Sequence, residues 1–245
     1  MLLSDRLCGV VIIVFPELWL NLTRLAILLL TAFLGWVTYQ SNLLLKSYQP
    51  NFNLLLSPPE FFVRVLLVGA CLFLAWLSGL PADQLGLMIT NPLWNAGLGL
   101  GIGIATQVCI YSLTWWAVNH IGRHIYSPII IRSILPSRPA EWIPVSLALI
   151  PAVAMEELLF RTLWLGVFGA DVSLTLLIVG TSVIFGLMHQ PQGILGVVLT
   201  GSINVFFCLL FIWTGTLLVP LAAHYTINLL QLIVAYYQRD WLENY

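Results

Sequence analysis

The run Leu93–Val118, LWNAGLGLGIGIATQVCIYSLTWWAV, contains no Asp, Glu, Lys or Arg. As a helix it would rise about 39 Å at 1.5 Å per residue, against a bilayer hydrocarbon core of about 30 Å. It does not alternate apolar and polar residues as a membrane β-strand would. Leu25–Leu45, Phe61–Leu80, Val172–Met188 and Thr216–Tyr236 are nearly as free of charge and approach the same length. The composition of the whole chain agrees: 60% of its 245 residues are hydrophobic and 8% are charged, with a mean hydropathy of +0.98. A soluble domain carries roughly 25% charged residues, so this chain lacks the charge to cover a water-facing surface. The reading is all-α: a polytopic membrane helical bundle of about seven to eight transmembrane helices, partnered by the lipid bilayer. It is expected in the cytoplasmic membrane if the source is bacterial.

The net charge of −1 offers no basic surface for nucleic acid. Cys8, Cys71, Cys109 and Cys208 form no C-x-x-C pair and read as free thiols in apolar stretches. In the N-terminal segment Arg6 precedes the short apolar run Leu7–Phe15, but no small-residue cleavage site follows, only Pro16 and Glu17. Met1–Asn21 is therefore read as a retained interfacial or partly inserted segment.

Spans are expected near 22–45, 61–80 and 93–119, with four more between 142 and 238 broken near Gly169–Asp171, Gln190–Gly193 and Gly215. The chain divides as one integral membrane domain, 1–245, with N-terminal spans and a polar loop in 1–139 and a core in 140–238. By the positive-inside rule, the loop with Arg123, Arg132 and Arg138 is expected on the cytoplasmic side, together with Lys46 and Arg64. Gly97, Gly99, Gly101 and Gly103 make two overlapping G-x-x-x-G spacings, which predict close helix packing in the third span. His120 and His124 read as residues of the polar loop.

The informative residues are polar groups inside apolar runs. Met155-Glu156-Glu157-Leu158-Leu159-Phe160-Arg161 puts two carboxylates and a guanidinium where each charge costs at least roughly 2.5–3.5 kcal/mol at a membrane helix centre. Glu157 and Arg161 are four apart with the acid first, the favourable order for a pair on one face. Glu156 lies about 100° around the helix and is left without an intrahelical partner, a carboxylate suited to taking and returning a proton. His189, four residues after Phe185, ends one apolar span. His224 and Asn228 share a face of the last span, again four apart. A lone histidine or asparagine in a membrane helix is ordinary interhelical glue. Three such segments on three separate spans predict that they face one another inside the bundle.

Glu156-Glu157-x-x-x-Arg161, Phe185-x-x-x-His189 and His224-x-x-x-Asn228 resemble, in order and approximate spacing, the three motifs of the CPBP family, the CAAX protease and bacteriocin-processing (Abi-type) membrane proteins. The resemblance covers roughly residues 140–235. It implies an intramembrane protease that hydrolyses a peptide bond in a membrane-associated peptide or protein, with Glu156, His189, His224 and Asn228 catalytic. Glu156, assisted by His189, would activate water, and His224 with Asn228 would donate to the oxyanion. Glu157, Arg161 and Phe185 would support them. No metal is favoured, although Glu156, His189 and His224 also compose the three-ligand set of a catalytic zinc site. Eukaryotic relatives cut prenylated C-terminal peptides; nothing in this sequence speaks for a prenyl substrate. The alternative is a non-catalytic scaffold or bacteriocin-immunity-type protein that uses the polar cluster structurally. Buried Glu and His also mark ion pathways in transporters, but here the polar load is confined to the second half.

Overall fold

The computed structural model describes residues 16–48 and 50–243. Residues 1–15, which carry Cys8 and most of the expected interfacial segment, lie outside the described residues. The described chain is helical without a strand. In order come α1 (Pro16–Ser47), α2 (Pro58–Leu77), α3 (Pro92–His120), the short α4 (Ile129–Ile134), α5 (Trp142–Glu157), α6 (Leu174–Met188), α7 (Gly193–Thr214), α8 (Leu218–Tyr237) and the short α9 (Arg239–Glu243). Among the described residues there are six membrane-length apolar helices: α1, α2, α3, α7, α8, and α5 taken with its continuation to Val167. The 15-residue α6 is a seventh, shorter apolar helix. All seven expected spans are thus helices, with breaks where the sequence places them.

The helix ends follow from local chemistry. Pro58 and Pro59 open α2 and Pro92 opens α3, where a missing N–H costs nothing and the fixed φ suits a first turn. Gly215, at φ +64, closes α7 in the left-handed region, and its N–H bonds to the Phe211 carbonyl. Helix α5 contains Pro151, which cannot donate to the preceding turn. After Glu157 the chain widens into a π-helix over Leu158–Val167. Extended π-helix is rare, and π-turns mark functional places more often than ordinary ones. Its last carbonyls find donors outside the segment: Gln84 Nε2 bonds to the Gly166 oxygen at 3.1 Å, and Arg24 reaches the Val167 oxygen at 3.5 Å. Arg24 also pairs with Asp171.

The largest apolar core is built around this π segment. Leu158, Leu159, Phe160 and Leu163 pack with Ile27 of α1, Cys71 of α2, Phe185 of α6 and Cys208 of α7. Large apolar side chains such as Trp36, Leu66, Trp76 and Leu176 face outward, as lipid contact requires.

Helices α3 and α8 lie close along much of their length, and glycine is the reason. A Cβ on Gly99 would meet the Val219 oxygen at 2.5 Å and the Ala222 Cβ at 2.7 Å. One on Gly103 would meet the Ala223 oxygen and the Thr226 Cβ, each at 2.7 Å. A Cβ on Gly97 or Gly101 would meet nothing within 4 Å among the described residues. Of the two G-x-x-x-G registers in the sequence, the 99/103 one makes the interface. His120 is the last residue of α3 rather than a loop residue, its ring stacked on Trp116. Its Nδ1–H donates to the Trp116 carbonyl one turn back, at 2.8 Å.

Candidate active site

The E-E-x-x-x-R segment straddles the junction between α5 and the π-helix. Glu157 and Arg161 are both fully buried, with Arg161 Nε 3.2 Å from Glu157 Oε2. The i,i+4 ion pair expected from sequence is present. The N–H does not point at the carboxylate, so the contact is an ion pair without an aligned hydrogen bond, and among the described residues the guanidinium nitrogens have no hydrogen-bond acceptor. Aromatic faces take the place of acceptors: the Arg161 guanidinium lies 5.3 Å from the Phe207 ring centroid and 5.8 Å from that of Phe185. A desolvated cation gains from such ring faces about 2 kcal/mol or more.

The second Glu157 oxygen has a partner the sequence did not reveal. His224 Nδ1 lies 2.7 Å from Glu157 Oε1, and both groups are buried. Because an ionised carboxylate only accepts, Nδ1 carries the proton and Nε2 is the free face of the ring. That Nε2 lies 3.7 Å from Glu156 Oε2. Glu156 is the outer carboxylate, its side chain 29% exposed against 0% for Glu157. The distance is long for a direct hydrogen bond and short enough for one water to touch both groups.

His189 follows α6 and is half-buried; its Nδ1 lies 2.8 Å from the Phe185 carbonyl. A carbonyl accepts, so Nδ1–H donates and Nε2 is free. Phe185 ties the two histidines together: its ring centroid is 4.6 Å from that of His189 and 6.3 Å from that of His224. Phe160 meets the same phenyl ring edge to face at 5.1 Å. Asn228 sits one turn beyond His224 on α8, half-buried, and its amide makes no hydrogen bond among the described residues. Glu156, Glu157, Arg161, Phe185, His189 and His224 are thus linked through direct contacts, and Asn228 adjoins them along one helix face.

Two further residues belong to this neighbourhood and escaped the sequence reading. Phe207 of α7 touches both Arg161 and His224, at 5.3 Å and 5.4 Å. Asn204, three residues before it and fully buried, donates to Ser182 at 3.0 Å and to Thr181 at 3.4 Å, joining α7 to α6. An asparagine within an otherwise apolar span was the signal available for it. Phe207 had none, being one aromatic residue among many.

Glu156, His189 and His224 are the set a metal would use. Among the described residues no group of three or more His, Cys, Asp or Glu is placed to hold an ion.

Residues 138–230 match the family model described as type II CAAX prenyl endopeptidase Rce1-like. The matched segment contains all three motifs, and the resemblance of residues 140–235 to the CAAX proteases is borne out over it. No curated protein and no solved structure matches the chain.

Proposed function

We propose that this multi-pass membrane protein, whose segment 138–230 carries the Rce1-like match, is an intramembrane endopeptidase acting on a membrane-associated peptide or protein. The observation that carries the reading is the placement of one imidazole, His224, between the two carboxylates of the E-E motif. Glu157 and Arg161 offset one another's charge, and His224 lies between that pair and the outer carboxylate of Glu156.

In the proposed reaction a water beside Glu156 is deprotonated by that carboxylate, with His189 assisting from its free Nε2, and attacks the scissile carbonyl. In this step His224 carries a proton on each ring nitrogen: Nδ1–H is held by Glu157 and Nε2–H donates to the developing oxyanion, with Asn228 donating beside it. The proton taken by Glu156 passes to the leaving amine. Arg161 pairs with Glu157 and fixes its carboxylate, which in turn holds the ring of His224. Glu157 therefore positions the oxyanion donor as well as anchoring the helix.

The test is a comparison of wild type and Glu156→Gln, expressed at equal levels in the native host. Peptides and membrane-protein termini are then profiled by mass spectrometry. Termini lost only in the variant establish proteolysis and identify the substrate. Identical profiles from two stably folded proteins would mean that the cluster is structural, as in a scaffold or immunity-type protein.

A further inference from the structure

A second feature lies about two helical turns from His224. A cavity of about 370 Å³ opens between α3, α8, α9 and the segment that follows α3. This is within the range of small-ligand sites, about 300–1,000 Å³. Gln107, Tyr111 and Thr114 line it from α3, and Gln231, Ala235 and Gln238 from α8. Gln231 is seven residues after His224, and Ala235 seven after Asn228, so both continue the face of α8 that carries those side chains. The separation along the axis is about 10 Å.

Gln107 is 5% exposed, its Oε1 is buried, and its side-chain amide has no hydrogen-bond partner among the described residues. A buried amide left unpaired within a helix bundle calls for a ligand or a reason. By contrast Gln238 is satisfied, donating to the Tyr111 hydroxyl at 2.6 Å. No Lys or Arg lines the cavity, and its one carboxylate, Asp240, already has a partner. A phosphate headgroup would therefore find no cation, and a lipid tail would leave Gln107 unpaired. A peptide group matches it, since one N–H and one C=O complement the two ends of a carboxamide.

We propose that this cavity is a peptide-backbone subsite in which Gln107 pairs with an amide of the bound chain, holding it two turns from His224 along α8. The proposal rests on the endopeptidase reading for its purpose. It also gives that reading a direction. The cavity sits at the end of the bundle that holds the C-terminus of α3, the N-terminus of α5 and the basic residues Arg123, Arg132 and Arg138. A substrate would enter from that end and extend toward Glu156 and His224.

The experiment uses the full-length Glu156→Gln protein in lipid nanodiscs, so that no probe is consumed. One probe is an N-acetylated, C-amidated tripeptide of two leucines flanking a benzophenone-bearing alanine; the other is a palmitic acid carrying the same benzophenone. After irradiation, labelled fragments are mapped by mass spectrometry. The expected result is tripeptide labelling of the α3 and α8 segments around Gln107 and Gln231, displaced by unlabelled tripeptide. Gln107→Leu should reduce it about tenfold, the loss of one hydrogen-bonded pair. Gln231→Leu, a second variant with the same apolar character, checks the opposite wall and is expected to weaken labelling as well. Tripeptide labelling unchanged in Gln107→Leu, or labelling of these segments by the palmitate probe alone, would overturn the proposal. Either result leaves the proteolysis test on Glu156 standing, because that test reads cleavage and this one reads binding.

Discussion

Glu157 and Glu156 are neighbours in the chain with opposite energetic positions. Glu157 is fully buried between Arg161 and His224, and replacing it leaves a guanidinium without a counter-charge. Breaking such a pair from one side costs about 3–5 kcal/mol. Glu157→Gln should therefore lower thermal stability in detergent by several degrees and lose activity together with fold. Glu156 is partly exposed and makes no direct hydrogen bond among the described residues, so Glu156→Gln should change stability by less than about 1 kcal/mol. It should reduce peptide cleavage at least about 100-fold, the usual minimum for a general base. The double variant Glu157→Gln with Arg161→Met separates the roles. Removing both charges should restore much of the stability while activity stays low, because His224 has lost its anchor; recovery of both would show that Glu157 serves the fold alone. The Glu157–Arg161 pair was legible in the sequence because helical spacing alone brings the two together. The Glu157–His224 contact was not: it joins residues 67 positions apart, and no local rule chooses between adjacent carboxylates as its acceptor. Burial decides, since the inner carboxylate is the one cut off from every other solvation.

Between helices, the α3–α8 interface does most to set where His224 stands. Gly99 and Gly103 let the α8 backbone approach at Val219, Ala222, Ala223 and Thr226, and His224 follows Ala223 directly. Gly103→Val would drive side-chain carbons into the Ala223 carbonyl, whose backbone cannot yield. The expected result is destabilisation of about 1–3 kcal/mol, as for overpacking of a tight core, with loss of cleavage as α8 shifts. Gly97→Ala and Gly101→Ala meet open space and should be neutral or slightly stabilising, since alanine is favoured over glycine in a helix by about 0.8–1 kcal/mol. Thermal unfolding of the three variants checks both halves of the prediction. In sequence the two registers are indistinguishable, because G-x-x-x-G repeats at both 97/101 and 99/103. Only the position of the partner helix separates them. The π-helix of Leu158–Val167 was equally hidden, as nothing in its composition differs from an α-helix, and the donors that meet its final carbonyls, Gln84 and Arg24, come from elsewhere in the fold.

At the scale of the whole molecule, the family match and the physical unit differ in extent. The matched segment, 138–230, holds every residue of the candidate site, yet its helices are walled by α1, α2 and α3. Leu158, Leu159, Phe160 and Leu163 complete their core with Ile27 and Cys71, and α8 rests on the glycine face of α3. Across the polar end of the bundle, Asn53 donates to the Ile134 carbonyl at 2.8 Å, and Arg239 bonds to that of Pro136. We therefore expect residues 138–245 expressed alone to be degraded or aggregated in the membrane. Co-expression with residues 1–137 should restore a stable complex, because separately inserted membrane helices associate through the same close packing that joins them in one chain. The cut falls between Ser137 and Arg138, in the connection ahead of α5, and leaves each apolar helix whole. Co-purification of the two fragments and their recovered cleavage of the wild-type substrate check the expectation. If residues 138–245 alone were stable and active, the N-terminal helices would be an accessory to a self-sufficient catalytic core. If only the pair is active, the whole chain is the enzyme, and Gly99 and Gly103 belong to its working parts although they lie outside the matched segment.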